Sequence, residues 1–258
     1  MPSQAWAFFS SFVKSLRPFT GMYFKSNFIN VTMQNSISTK VIQQTFAQQT
    51  NQWQNASFNL LTDAFNQPGQ LRVSAFQLSL QDTLALVNNP ETRFLVIHMG
   101  LVVGKWYPIL QGKSSLNANS MENAYLPILA KEPLALGTNN YSPTIAYNPH
   151  IITPAVAQEY VGNWQKTPPS QIMDVFHAPI LINKFYKMER LRYAYFSEEV
   201  AQELRAMQPD HLTIFAGNAA TTTQNQPFTF RPVVLATRDH LNMMFDLSTP
   251  VPPFPLCY

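Results

Sequence analysis

Val41, Ile42, Thr45, Phe46, Gln49 and Trp53 recur at intervals of three and four residues, the period that lines up side chains on one face of an α-helix. The stripe predicts a helix over residues 38–54. Ser38 or Thr39 caps it, since either side-chain oxygen can accept an unpaired backbone N–H. Residues 58–66 extend this helix or form a second short one, and Pro68-Gly69 turns the chain. Arg72 to Phe76 reads as extended. Leu78 to Asn88 returns to helical spacing, with Ser79 as N-cap and Asp82 in a variant of the capping box. An apolar run from Phe94 to Met99, with His98 inside it, predicts a buried strand. Gly100 to Gly104 turns the chain, and Trp106 to Gln111 returns as a partner strand that Pro108 confines to an edge or a bulge. Residues 112–123 read as a polar loop, and Ala124 to Ala130 as a further short strand.

The same order then recurs. Thr153-Pro154 opens a helix in the favoured cap-then-proline order, with Val156, Tyr160 and Trp164 on one face, and Pro168-Pro169 breaks it. Ile180 to Tyr186 and Leu191 to Phe196 are strand-like. Ser197 caps a helix from Glu198 to Met207, whose terminal charges, Glu198 and Glu199 against Arg205, suit the helix dipole. Leu212 to Ala216 matches Leu95 to Met99, and residues 217–226 are a longer polar loop. Phe228 to Ala236 matches the Trp106 strand, with Pro232 where Pro108 falls, and Leu241 to Leu247 matches the strand at Tyr125. Asn51-Gln52-Trp53-Gln54 recurs as Gly162-Asn163-Trp164-Gln165, and Gly100 as Gly217. Unlike elements repeating in a fixed order at nearly constant offset are the signature of a duplicated module.

The expectation is an α+β protein of two tandem similar modules, each with helices packed on a small, mostly antiparallel sheet. A pseudo-twofold axis relates them, as in a homodimer fused into one chain. Residues 37–130 form the first module, 131–152 a Pro-spaced linker and 153–249 the second module. Residues 1–36 precede them as an amphipathic helix, carrying Trp6, Phe8, Phe9, Phe12, Val13 and Leu16, followed by an extended arm. Residues 250–258 form a Pro-rich tail expected to adopt polyproline II.

Composition adds a reason to associate. Charged residues make up 12% of the chain, half the usual share of about 25%, and amide side chains outnumber them. A weakly charged surface repels its copies weakly. The chain is therefore expected to be a homo-oligomer or to bind a protein partner. Trp6, Phe8, Phe9, Phe12, Pro252, Pro253 and Phe254 are the candidate contact residues. The densest basic stretch, Lys184, Lys187, Arg190 and Arg192, contains Glu189 and reads as a solvated face, so no nucleic-acid partner is expected. No run of 18 apolar residues marks a membrane span, and the N-terminal charges, Lys14 and Arg17, follow the apolar run instead of preceding it. A cytoplasmic location is the default.

Candidate chemistry is sparse. Cys257 is the one cysteine, which excludes an intramolecular disulfide and a Cys-x-x-Cys metal site. His98, His150, His177, His211 and His240 form no zincin spacing. Asp239-His240 and Asp174 with His177 are the nearest approaches to an acid/base pair. No Gly-x-Ser-x-Gly elbow or Gly-rich phosphate loop occurs. No catalytic residue, cofactor or metal is assigned. The leading function is that of a non-enzymatic structural or interaction protein using neutral surfaces and its termini. The alternative is a ligand-binding protein or divergent enzyme with a cleft between the modules, where His98, His177 or His240 would converge.

The Ser-capped helix, Pro-terminated loop, apolar strand ending in Gly, return strand, Phe245-Asp246-Leu247 and Pro-Pro tail resemble small uncharacterised bacterial proteins. In those the tail carries a Cys-Pro-Pro-x-Cys-like motif, and here Val251 stands where the first cysteine would be. The resemblance implies no activity.

Overall fold

The computed structural model describes residues 39–65, 72, 75–116, 123–130, 136, 138–145, 148–182, 185–220, 228–246 and 249–251. The N-terminal segment 1–36, the residues Pro252 to Tyr258 and parts of the linker lie outside them. Elements run in the order α1 (Thr39–Asn55), α2 (Phe58–Ala64), β1 (Ala75–Gln77), α3 (Leu80–Asn88), β2 (Phe94–Val102), β3 (Lys105–Lys113), β4 (Ala124–Tyr125) and β5 (Ile128–Leu129). After the linker come α4 (Pro154–Lys166), α5 (Ile172–Val175), β6 (His177–Ile182), β7 (Phe185–Arg190), β8 (Tyr193–Phe196) and α6 (Glu198–Met207). The chain closes with β9 (His211–Phe215), β10 (Asn218–Ala220), β11 (Phe228–Phe230), β12 (Val233–Arg238), β13 (Leu241–Asp246) and β14 (Thr249–Val251).

Local chemistry accounts for the helix starts. Ser57, Ser79 and Thr153 each sit in extended conformation and accept a backbone N–H with the side-chain oxygen, which satisfies one of the four donors a helix start leaves unpaired. Pro154 at the first position of α4 has no N–H to leave unpaired. Ser197 occupies the N-cap of α6 in extended conformation without a capping side-chain bond. Arg205 in the last turn of α6 donates to the Thr92 carbonyl at 2.5 Å.

Two five-stranded antiparallel sheets organise the described residues, so the protein is α+β. One has the order β13-β12-β9-β1-β5, the other β14-β8-β2-β3-β4. Both draw strands from both halves of the chain. β1 pairs with β9, Phe76 opposite Ile214, and β8 pairs with β2, Ala194 opposite Ile97. Alternation along each strand sends one set of side chains into a common apolar core. Leu95, Ile97, Leu110, Ala194 and Phe196 come from one sheet and Leu212, Ile214, Val234, Ala236 and Phe245 from the other, with α3 and α6 supplying Leu86, Val87, Val200, Leu204 and Met207. On the opposite faces α1 covers β2, and α4 packs against β12 and β13.

Several expectations are corrected here. Ala124 to Ala130 is not one strand: β4 pairs with β3 in one sheet and β5 with β1 in the other. Gly100 lies within β2, and the turn is confined to Val103-Gly104, because Leu101 and Val102 still pair with Trp106 and Lys105. Ile180 to Tyr186 is not a single strand but spans a hairpin of β6 and β7, which among the described residues pair only with each other. Pro250 and Val251, expected as polyproline, belong to β14 and pair with β8. The Trp106 strand runs unbroken past Pro108, where β4 does not reach, whereas Pro232 interrupts its counterpart into β11 and β12. The linker is held firmly where it is described. Asn139 accepts from the Met244 N–H and donates to Ile152, and Thr144 and Ile145 donate to the fully buried Glu203 carboxylate.

The β2–β3 turn carries a local conflict. Val103 and Gly104 both have positive φ, 50° and 71°, the signature of a type I′ turn, which favours Asn-Gly. A β-branched residue in the left-handed region is strained. Val103→Asn should therefore raise stability by about 1 kcal/mol, read as an increased urea midpoint at unchanged slope. A loss of stability would mean that the exposed valine makes a contact of its own.

Candidate functional site

The most elaborate constellation lies where the first and second halves of the chain interlock. Trp53 at the end of α1, Phe65 after α2, Trp106 on β3, Trp164 on α4, Phe176 after α5 and Phe230 on β11 are all buried in one cluster. Phe65 and Phe176 stack at its centre, with ring centroids 5.1 Å apart and planes 6° from parallel. Trp164 meets Phe65 edge-on at 5.0 Å, and Trp53 meets Phe176 edge-on at 5.0 Å. Trp106 lies 5.3 Å from Phe65 and 5.8 Å from Phe230. Edge-on and offset contacts of this kind set negative ring faces against positive edges.

Two arginines clamp the ends of the helices that carry Trp164 and Trp53. Arg72 donates to the Trp164 and Thr167 carbonyls at 2.7 and 2.6 Å, and its guanidinium lies 5.1 Å from the centre of the Trp164 ring. Arg190 donates to the Trp53 and Gln54 carbonyls at 2.6 and 3.1 Å. Each caps the carbonyl end of a helix from the other half of the chain, where the dipole is negative. Burial pulls both guanidinium groups below their ordinary value. The amides complete the exchange: Gln165 donates to the Arg72 carbonyl at 3.1 Å and Gln54 to the Leu191 carbonyl at 3.2 Å, which also accepts from the Trp53 indole at 2.8 Å. Sequence reading assigned Arg190 to a solvated basic face and gave Arg72 no role. The overlooked signal is spacing: each arginine precedes its helix-capping serine, Ser79 or Ser197, by the same interval.

A second polar feature is the buried pair His98–Gln111 on the face of β2 and β3 beneath α1. Gln111 Oε1 can only accept, so His98 Nε2 carries the hydrogen across their 2.8 Å contact. The Phe46 ring stands edge-on to the imidazole at 4.8 Å, and Tyr193 lies 5.6 Å away. Burial pushes the His98 pKa down to about 4; the Gln111 bond opposes the shift and the nearby Lys113 charge adds to it. His98 is thus a neutral strand-face residue near neutral pH.

The structure gives the other histidines separate surroundings. His177 bonds through a ring nitrogen to the Met173 carbonyl, four residues back. Asp239-His240 forms the turn between β12 and β13: the Asp239 N–H donates to Asp210 at 3.0 Å, and the His240 carbonyl accepts from Asn140 at 2.6 Å. Glu198 in the first turn of α6 pairs with Arg93 at 2.6 Å. A cavity of about 10 Å³ between α3, α6 and β2, lined by Leu86, Leu95 and Leu204 among others, has room for one water at most. Among the described residues no group of three or more His, Cys, Asp or Glu is placed to hold a metal ion, and no helix is long and apolar enough to cross a membrane. The candidate contact residues Trp6, Phe8, Phe9, Phe12, Pro252, Pro253 and Phe254 lie outside the described residues.

No protein-family model, no curated protein and no solved structure matches the chain.

Proposed function

We propose that this protein is a non-enzymatic structural or interaction protein, built from two fused copies of one module, that associates with itself or with a protein partner. The observation that carries the functional reading is an apolar edge left in solvent. Val103 at the β2–β3 tip is 95% exposed, and Phe58 and Leu60 on α2 are 45% and 41% exposed. A Cβ on Gly104 would stand 3.8 Å from the Leu60 side chain, so α2 and the tip adjoin. Exposed apolar side chains grouped on a sparsely charged surface favour protein contact. In the same reading the two termini add further contact surface.

Register supports the duplication. Phe76 faces Ile214 as Ala194 faces Ile97, and Ile97 faces Leu110 as Ile214 faces Val234. Leu110 faces Tyr125 as Val234 faces Phe245, and Leu101 faces Trp106 as Asn218 faces Phe230. The two repeated glycines approach corresponding carbonyls, closely at Gly217 and at contact distance at Gly100, where the Ile109 side chain is nearer at 2.9 Å. A Cβ on Gly217 would come within 2.1 Å of the Arg231 carbonyl, and one on Gly100 within 3.4 Å of the corresponding Tyr107 carbonyl. On this reading β6–β7 is an insertion in the second copy.

Light scattering after size exclusion tests the function. The expected result is a mass above 29.3 kDa that rises with concentration and falls in a Val103→Lys, Leu60→Lys variant or on removal of residues 1–17 or 250–258. A constant monomer that captures no protein partner would overturn the reading.

A further inference from the structure

We propose that the interlocking surface of each half can be occupied by a second copy of this chain, so that residues 39–130 of one copy pair with residues 153–251 of another. The inference rests on the duplication proposed above. Three features of the contact carry it.

First, neither half completes a sheet alone. The β9-β12-β13 unit takes β1 and β5 from the first half, and the β2-β3-β4 unit takes β8 and β14 from the second. Second, the contact is self-complementary in the manner of a twofold dimer. Phe65 stacks on Phe176, Trp106 packs on Phe230, and the Arg72 clamp on Trp164 is answered by the Arg190 clamp on Trp53. Third, a single linker joins the halves. Ala130 donates to the Ala75 carbonyl, and Leu136 packs against the core formed by Phe215, Val233 and Met244, so residues 131–135 connect the two anchored ends. Strand pairs, ring contacts and clamps are the same whether the partner half belongs to the same chain or to another. Only the effective concentration set by the tether separates the two arrangements, on the order of 1 mM for a short tether. Exchange between copies becomes competitive as protein concentration approaches that value, or when the linker is too short to close within one chain.

The experiment uses two full-length preparations carrying different affinity tags. They are unfolded together in guanidinium chloride and refolded at concentrations from low micromolar to about 1 mM. The expected product is a dimer carrying both tags, with the far-UV circular dichroism and tryptophan emission of the monomer. At low yield its fraction should rise in proportion to concentration. It should not form when the two proteins are mixed already folded, and after dilution it should persist until the chains unfold. A second pair, with residues 132–135 deleted and the core-packed Leu136 kept, should make the same dimer the main species at micromolar concentration. Absence of a doubly tagged dimer across the wild-type series would overturn the exchange, whether or not the deletion variant folds. A dimer that forms on mixing folded chains and dissociates on dilution with native spectra would also overturn it, while supporting association through the exposed apolar edge.

Discussion

Phe65→Ala should lower the free energy of unfolding by about 3–5 kcal/mol, the largest effect expected of any single substitution considered. Phe65 is fully buried and stacks on Phe176, and its ring also lies within 5.3 Å of Trp106 and 5.0 Å of Trp164. These rings come from α4, β3 and the segment after α5, elements anchored in both sheets, so no single neighbour can move in to fill the space. The cost of removing a ring is the lost transfer free energy plus the cavity that remains. Phe176→Ala should cost a similar amount. A double-mutant cycle should return a coupling of about 0.5–1.5 kcal/mol beyond area burial, because each single variant already loses the stacked pair. Guanidinium denaturation followed by tryptophan emission measures all three variants. A loss under about 1 kcal/mol at Phe65, or strict additivity with Phe176, would contradict the packed stack.

Acidification from pH 6.5 to 4 should remove about 3 kcal/mol of stability through His98 alone. The folded state holds His98 down to a pKa of about 4 against an ordinary value of 6.5. Between those values the unfolded chain binds the proton and the folded chain does not. Stability from this group is therefore fully present above pH 6.5 and lost as pH falls through the window. Asp246 works in the opposite sense, since burial raises its pKa and protonation favours the folded state. The test is accordingly a difference between two proteins. The double variant His98→Phe, Gln111→Leu installs the pair that the second half carries at Phe215 and Leu235, positions paired alike in its own sheet. It removes both members of the bond, so neither is left buried without the other. Urea midpoints at pH 7 and 4.5 should converge on a much smaller gap in the variant. An unchanged gap would show that His98 is not the group responsible.

Trp53 and Trp164 were readable as core anchors because each closes the apolar stripe of its own helix. Ser79 and the Thr153-Pro154 pair were readable as helix starts because the capped N–H groups lie within three residues. The run from Phe94 to Met99 was readable as a buried strand because every position but His98 is apolar on both faces. The candidate site was less legible. The tryptophans at its edge stood out, whereas Phe65, Phe176 and both arginines did not. A guanidinium that caps a helix from the opposite half looks, along the chain, like any surface cation.

What the sequence determined by itself is the set of elements: where helices start, which face of each is apolar, and which runs form buried strands. Those signals act between residues a few positions apart. The tertiary structure alone decided which strands pair. β1 lies beside β9 and β8 beside β2, with partners far apart along the chain, Phe76 with Ile214 and Ile97 with Ala194, and β4 and β5 part company into different sheets although two residues separate them. Short apolar strands have nearly interchangeable edges. Their partners are chosen by the core that the whole set can close, here the Phe65–Phe176 stack and the two arginine clamps, which exist only once both halves are in place.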